Sequence, residues 1–290
     1  VNSVKDVEIW SGVVEHAEHV PEYVITRRTS KETERVTIPE RWVARVSFGS
    51  LRENFPIEKH EFEDYKTKFN CPKVETIKPG RGQEPYYEKI TNNSGVIIPA
   101  HTIKLFDNTL RASTNVYKNA KIPKNTKLFD YPYELPPGGV KGLYLTKFSQ
   151  RFINKPDLVE HIQYAFWRQS KRLLGQAEKD FEISEWDSMN AVLGPKKRVN
   201  LIAIGFDGKA EQAHWQQAKW EGGKRNDLVI CYGPKKTDGR PEWAVCFGWA
   251  KNPNVYRELE KLFLKYPPSD ELIPDITKIV RKNYRQRPWP

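Results

Sequence analysis

The C-terminal half of the chain alternates between apolar runs and stretches that predict helices. Val199–Phe206 and Asp227–Gly233 are apolar segments of strand length, and Ala210–Trp220 between them is predicted to be a helix. A strand, a helix and a strand on this scale form a βαβ unit, whose strands are parallel and whose crossover is almost always right-handed. Trp243–Trp249 follows a polar turn and predicts an antiparallel hairpin partner.

Helical spacing on either side of this unit predicts the rest of the half. Lys155–Ala177 lacks proline and carries apolar residues three and four positions apart, which predicts a long amphipathic helix. Further helices are predicted at about Ser184–Leu193, Asn254–Tyr266 and Asp270–Tyr284. Together these elements predict a compact α/β domain.

The N-terminal half is predicted to be rich in β-strands. Val7–Val14, Tyr23–Thr26 and Trp42–Phe48 alternate between apolar and polar positions, as half-buried strands do. Residues 50–125 carry prolines among short apolar pieces, which is typical of long loops with a few edge strands rather than helices.

The composition changes at Tyr131–Gly139, where paired prolines cannot donate ladder hydrogen bonds and paired glycines free the backbone. We therefore predict an α+β protein with two domains. The first is a β-rich module with long loops over residues 1–139, and the second is an α/β domain with a basic C-terminal helix over residues 140–290.

Composition and charge favour a folded chain with an anionic partner. A chain of 290 residues with 38% hydrophobic and 12% aromatic residues exceeds a single domain and is too apolar to be disordered. No apolar stretch reaches the roughly 18 residues of a membrane span, so a soluble chain is expected as given. Since it begins at Val1 without methionine, a leader or anchor removed from its start stays open. The formal net charge of +11 favours contact with nucleic acid, a lipid surface or an acidic protein face.

Asp207 is the candidate ligand-binding residue. It follows the first strand of the βαβ unit, at the edge where ligands gather in open α/β sheets, and the turn at Gly233–Lys236 is expected near it. With a second carboxylate, Asp207 could hold a divalent cation. The alternative is that Asp207 forms a turn with Gly208 and caps the following helix, a common use of aspartate.

The densest basic feature of the sequence lies near the C-terminus. It could bind phosphates or an acidic partner, and the interleaved Tyr284 and Trp289 could stack or pack against that partner. The alternative is a solvated helical face followed by a frayed tail. The basic residues are Lys278, Arg281, Lys282, Arg285 and Arg287.

No other motif predicts an active site. Gly222-Gly223-Lys224 precedes a strand, so it cannot present helix N-terminal amides to a phosphate, and its glycines are predicted to end the preceding helix with positive φ angles. The four carboxylates between residues 180 and 187 could supply metal ligands, but they are more typical of a solvated helix start. We therefore predict no catalytic residue, no metal ligand and no cofactor.

Two stretches that lead into the strands of the βαβ unit carry a resemblance. Leu193–Asn200 and Trp220–Ile230, together with Trp243, resemble the TPM domain in the divergent form found in uncharacterised tailed-bacteriophage proteins. The similarity spans residues 155–286, and Glu8–Gly12 also looks like the opening of those proteins. The resemblance implies an α/β/α sandwich of a kind often found on envelope-associated proteins, with weak phosphatase activity described for some relatives.

We therefore expect a non-enzymatic phage protein, associated with the virion or directed to the host envelope. Its partners would be other proteins, including virion components, and its work would be protein contact. Two alternatives stay open. One is a weak metal-dependent phosphatase that uses the loops after the central strands, and the other is a nucleic-acid-binding protein that uses the basic C-terminal segment.

Overall fold

The computed structural model describes residues 4–28, 33–70, 74–78, 85–108, 135–144, 152–153, 166–167, 172–220 and 222–287. The chain forms two compact units. The N-terminal unit is Gly12–Ala100, and the C-terminal unit comprises Val1–Ser11 together with His101–Pro290. The protein is a mixed α+β protein with a β-rich N-terminal part, as the sequence predicts. Of the predicted boundary segment Tyr131–Gly139, residues 135–139 are described and include a turn.

The strands of the N-terminal part include those that the sequence predicts near Val7, Tyr23 and Trp42. β4 pairs antiparallel with β1 and β5, β7 pairs antiparallel with β1 and β6, and β2 and β3 form a separate two-stranded ribbon. β1 contains the boundary between Ser11 and Gly12, and β8 contains the boundary between Ala100 and His101. The bounds are β1 Val4–Val20, β2 Tyr23–Arg28, β3 Thr33–Ile38, β4 Arg41–Phe48, β5 Leu51–Ile57, β6 Glu75–Ile77, β7 Tyr87–Thr91 and β8 Pro99–Asn108.

A helix, α1 (Lys59–Lys68), lies in the region predicted to hold loops and edge strands. Its N-terminus is stabilised by the Glu61 carboxylate, which accepts a hydrogen bond of 2.8 Å from the backbone N–H of Glu58. Phe62 and Tyr65, three positions apart, are buried on one face of the helix. The prediction that residues 50–125 contain no helix is wrong, because the prolines flank this segment instead of interrupting it.

The C-terminal unit is built on a four-stranded sheet in the order β11-β12-β13-β14, whose first three strands are parallel and whose fourth is antiparallel. The predicted βαβ unit, its hairpin partner and the helices near Ser184, Ala210, Asn254 and Asp270 are confirmed. The elements are β9 Phe152–Ile153, β10 Phe166–Trp167, β11 Leu173–Gly175, α2 Ala177–Asp180, α3 Ile183–Lys197, β12 Asn200–Gly205, α4 Glu211–Lys219, β13 Asp227–Lys235, β14 Pro241–Gly248, α5 Asn254–Lys265, a 3-10 turn Asp270–Leu272 and α6 Ile273–Asn283.

The long helix predicted at Lys155–Ala177 is wrong in its described part. β10 pairs with β8, and β11 pairs parallel with β12. Leu173 and Leu174 lie in different hydrophobic cores, so these neighbouring apolar residues mark a buried strand instead of a helical stripe. Residues 155–165 and 168–171 of the prediction lie outside the described residues.

Helices cover both faces of this sheet. Leu201 and Ala203 point into a core shared with α3, α5 and α6, whereas Ile202 and Ile204 point into a core shared with α4. The crossover from β11 to β12 runs through α3, and the crossover from β12 to β13 runs through α4. The three strands lie side by side in sequence order, but the two helices lie on opposite faces of the sheet. The two crossovers therefore have opposite hands. One of them therefore departs from the right-handed rule.

The helices α3 and α6 run parallel to each other. At their beginnings the backbone N–H of Glu182 donates to the Asp270 carboxylate (3.0 Å), and at their ends the Lys197 ammonium donates to the Tyr284 carbonyl (3.3 Å). Both helices end at the edge of the sheet where the parallel strands begin, which we call the amino edge; the opposite edge is the carboxyl edge. Among the described residues, no helix is long and apolar enough to cross a membrane.

Candidate functional site

Asp207 is exposed at the carboxyl edge of the sheet, directly after β12. The end of β13 is adjacent, since a Cβ atom added to Gly233 would lie 1.9 Å from the carbonyl oxygen of Phe206. The turn predicted at Gly233–Lys236 lies later in the chain, because β13 continues to Lys235. The indole N–H of Trp243 donates to the carbonyl of Gly208 (2.9 Å) and fixes the loop. The idea that Asp207 caps the following helix is wrong, because α4 has Ala210 as its N-cap residue and no side-chain capping bond.

The carboxylates at the carboxyl edge serve different partners. Burial raises the pKa of the Tyr144 phenol, and the charges of Asp207 and Glu178 raise it further, so both carboxylates lie within electrostatic reach of it. Asp180 instead accepts hydrogen bonds from the Tyr232 hydroxyl (2.8 Å) and from the Lys235 ammonium. Within the described parts of the chain, no three His, Cys, Asp or Glu side chains form a group that could hold a metal ion.

The predicted solvated helix start at residues 180–187 is right for only half of its carboxylates. Glu182 and Glu185 are exposed at the beginning of α3. The Asp180 side chain is 4% exposed and pairs with the exposed Lys235, and Asp187 is 1% exposed and pairs with the buried Arg172. These two residues are therefore structural acceptors and not surface charges.

A buried arginine, Arg172, is the centre of the polar network inside the C-terminal unit. Its Nε donates to Asn200 (2.5 Å), Nη1 to the Asp187 carboxylate (2.9 Å) and Nη2 to the Ser11 hydroxyl (2.7 Å). The three acceptors belong to β12, α3 and β1, so one guanidinium group joins three elements distant in sequence. Sequence reasoning missed this residue, since an arginine in a polar run carries no signal of burial.

The Gly-Gly-Lys-Arg-Asn-Asp run extends the same network. Asn200 donates to the Asp227 carboxylate (2.8 Å), which also accepts from the backbone N–H of Lys224 (2.8 Å). Asn226 donates to the carbonyl of Ile9 (2.7 Å). The two glycines adopt φ angles of 80° and 84°, as predicted for the end of a helix. The run therefore joins β13 to β1 and β12, which is a structural role.

Ser11, His101 and Asp187 have the residue types of a hydrolytic triad, with His101 Nδ1 3.2 Å from Ser11 Oγ and His101 Nε2 3.5 Å from Asp187 Oδ2, but Arg172 also contacts the His101 ring. The Arg172 Nη1 atom lies 3.0 Å and 3.1 Å from the two ring nitrogens of His101, which places it over the face of the ring because an in-plane atom at these distances would overlap Cε1. All three residues are at most 1% exposed, so substrate has no access. The arrangement stabilises the fold and does not form a nucleophile.

The charge states in this network are set by burial and by one ion pair. Burial lowers the pKa of Arg172, and the Asp187 carboxylate partly offsets this. Burial alone would raise the pKa of Asp187, but the hydrogen bond to His101 and the charge of Arg172 hold it below its usual value. Burial and the Arg172 charge lower the pKa of His101 to about 4, so its ring is neutral near pH 7.

We expect the stability of the protein to fall as the pH drops from 6.5 towards 4. The folded-state pKa of His101 of about 4 lies below its ordinary value of 6.5, so the unfolded chain binds this proton first. The loss over that window amounts to roughly 3 kcal/mol, at about 1.4 kcal/mol per pH unit. Urea unfolding at pH 7 and at pH 4.5 measures it. His101→Gln should flatten this dependence and the exposed His60→Gln should not; equal slopes in both variants would contradict the assignment.

A basic surface lies at the amino edge of the sheet. It consists of eight exposed cationic side chains, none of which forms an ion pair with another residue that the structure describes. The five basic residues predicted from the sequence are among them, and the end of α3 and the segment after β14 add three more. They are Lys196, Arg198, Lys251, Lys278, Arg281, Lys282, Arg285 and Arg287.

The C-terminal segment is folded against the unit as far as Arg287. The backbone N–H of Lys251 donates to the Arg285 carbonyl (2.7 Å), and that of Arg287 donates to the Trp249 carbonyl (2.7 Å). Tyr284 is fully buried and so cannot stack on a partner, while Trp289 lies outside the described residues. The frayed-tail alternative is therefore wrong through Arg287, and so is the stacking role of Tyr284.

The parallel helices account for only part of this positive charge. The C-terminal ends of α3 and α6 each carry roughly half a negative elementary charge, which nearby cations stabilise. The two ends together supply about one negative charge against eight exposed cations. Most of the positive charge at the amino edge therefore has no counter-charge among the residues that the structure describes.

Comparison of the chain with protein-family models, with curated proteins and with solved structures gives no match.

Proposed function

We propose that this chain is a non-catalytic bacteriophage protein, associated with the virion or directed to the host envelope, which works by binding another macromolecule. The basic surface carries the proposal, since its eight exposed cations have no ion-pair partner among the described residues. The likeness of Leu193–Asn200 and Trp220–Ile230 to phage TPM-type proteins supports the phage assignment. A sheet covered by helices on both faces is compatible with that domain type.

The phosphatase alternative has weaker support in the geometry. Asp207 and Glu178 lie near the Tyr144 phenol, but Asp180 is bound by Tyr232 and Lys235. We expect no turnover of a chromogenic phosphate ester above the level of an Asp207→Asn variant. Turnover by the wild-type protein that this substitution abolishes would favour the phosphatase over the proposed function.

Neutralising half of the basic surface is expected to weaken strongly the binding of the protein to anionic polymers. The variant Lys278→Gln, Arg281→Gln, Lys282→Gln and Arg285→Gln removes four of the eight cations. Because each contact to an anionic chain releases counterions, affinity for labelled heparin at 50 mM KCl should fall by about 100-fold or more. Fluorescence anisotropy measures the affinity, and circular dichroism confirms that the variant is folded.

A matched variant separates the surface from net charge. Lys141, Lys179, Lys209 and Lys236 are exposed outside the amino edge, and their replacement by glutamine lowers the net charge by the same four units. This control should bind within about threefold of the wild type, since only general charge is lost. Equal losses in the two variants would contradict a role for the basic surface.

The phage assignment is tested on purified particles. Mass spectrometry of virions of the phage that encodes the chain should detect the protein, and envelope fractions of infected cells should contain it if it is directed to the host. Absence from both fractions would overturn the assignment but would leave the binding surface to be judged by the variants.

A further inference from the structure

We infer that the basic surface binds the phosphate backbone of double-stranded nucleic acid without reading its sequence. This inference rests on the proposed function and names the partner of the same surface. It follows from the exposed cations of the surface and from the absence of exposed apolar and aromatic side chains in the described segments that carry them.

The surface lacks the apolar centre that a protein partner would need. Stable protein interfaces are built around buried aromatic or aliphatic anchors with a polar rim. The large apolar side chains exposed in the described C-terminal unit are Leu135, Ile183 at the beginning of α3, and Leu264 and Tyr266 at the end of α5. None lies in the segments 196–198, 249–251 or 278–287. An interface here would therefore be almost wholly electrostatic.

The aromatic residues at the amino edge are turned inward. Tyr284 is 0% exposed and Trp249 is 5% exposed. Proteins that hold single strands stack unpaired bases on exposed aromatic rings, which supplies much of the binding energy. Since neither described ring is available for stacking, the backbone of a duplex, whose bases are already stacked on each other, fits this surface better than a single strand does.

The arrangement of the cations suits a polyphosphate. Four of the eight are arginines, whose planar guanidinium groups bind phosphate oxygens with two parallel hydrogen bonds. The backbone that carries Arg285 and Arg287 is fixed by its pairing with residues 249–251, so the two charges are presented from an ordered segment. We expect these cations to contact phosphate oxygens and not base edges, so affinity should not depend on sequence.

An anionic membrane is the less suitable partner. Membrane attachment usually combines cations with apolar or aromatic side chains that enter the lipid interface. The described segments that carry the basic surface expose no large apolar side chain, which favours a ligand that is charged along its whole length.

The test compares four kinds of probe with the full chain at 50 mM KCl. They are two 20-base-pair duplexes of unrelated sequence, a 20-nucleotide single strand, labelled polyglutamate, and vesicles of phosphatidylglycerol and phosphatidylcholine. We expect both duplexes to bind within about twofold of each other and at least tenfold more tightly than polyglutamate or the single strand. The slope of log K against log salt should lie between about −4 and −7, for four to eight phosphate contacts.

The four-site glutamine variant of residues 278–285 should reduce the magnitude of that slope by about 0.9 for each phosphate that it no longer binds, and the matched control of residues 141–236 should keep the wild-type slope. Binding of polyglutamate or vesicles as tightly as the duplexes would overturn the inference and leave the proposed function standing. Failure of the wild-type protein to bind any of the probes would overturn both.

Discussion

Replacing Arg172 by methionine is expected to lower the free energy of unfolding by about 3–5 kcal/mol, because it removes one partner of a buried ion pair and leaves the other without its counter-charge. The guanidinium group is 1% exposed and donates to Asp187, Asn200 and Ser11. Urea unfolding followed by tryptophan fluorescence measures the change.

Two further variants show whether the destabilisation comes from the network. The double variant Arg172→Met with Asp187→Leu removes both charges of the pair and should recover part of the stability, since no unpaired buried charge remains. Arg281→Met makes the same chemical change on the exposed face of α6 and should alter stability by less than about 0.5 kcal/mol. A destabilisation below about 1 kcal/mol for Arg172→Met would mean that Arg172 is not the centre of the network.

Gly233→Ala is expected to lower the free energy of unfolding by about 3 kcal/mol or more. The residue has a φ angle of +137°, and an added Cβ atom would lie 1.9 Å from the Phe206 carbonyl oxygen, which is backbone and cannot move aside. The substitution should therefore force the ends of β12 and β13 apart. Thermal unfolding by circular dichroism measures the effect.

Gly239 provides the matched control, since it lies in the turn that follows β13. Its φ angle is +80°, and the nearest atom to an added Cβ is 3.5 Å away on Pro267, which is an ordinary contact. Gly239→Ala should cost only about 1 kcal/mol, from backbone strain alone. If Gly233→Ala cost no more than Gly239→Ala, the close approach of the two strands would be wrong.

The parts of the fold that follow local patterns could be predicted from the sequence. Val199–Phe206 and Asp227–Gly233 are continuous apolar runs because both faces of their sheet are covered by helices. A helix at Ala210–Trp220 between two such strands predicts that the strands are parallel. The pairing of Leu201 with Leu228 and of Ile204 with Cys231 confirms it.

The missed elements depend on contacts that a local pattern does not contain. β11 has only three residues, and its strand state comes from pairing with Ala203 and Ile204, some 30 residues later. The predicted helix extends over Leu173 and Leu174 through a helical spacing that does not show this pairing. The hand of each crossover likewise depends on which face each helix covers, which the spacing of apolar residues within a single helix does not specify.

The candidate site could be predicted only in part for the same reason. Five of the basic residues are close together in sequence and could be found as a run. Lys196, Arg198 and Lys251 join them only because α3 and α6 are parallel and because residues 249–251 pair with residues 285–287. Lys196 and Arg198 are visible as a short basic run, but nothing local connects that run to a helix about 80 residues later.

The C-terminal unit therefore has a polarity that follows from its helix directions. Acidic residues such as Glu182 and Glu185 stand at the beginning of α3, and cations stand at its end and at the end of α6. Some of these charges stabilise the dipoles of α3 and α6, since acidic residues lie near helix beginnings and cations near helix ends. The remaining positive charge is available for binding, and this excess is the basis of the functional proposal.

Hydrogen–deuterium exchange of the full chain with and without a 20-base-pair duplex tests the central claim most directly, because it locates the contact on the protein. We predict slower exchange on duplex binding in residues 196–198, 249–251 and 278–287, with no change in residues 207–212 and 233–240 at the carboxyl edge. Protection confined to the carboxyl edge or to residues 12–100 would contradict the account.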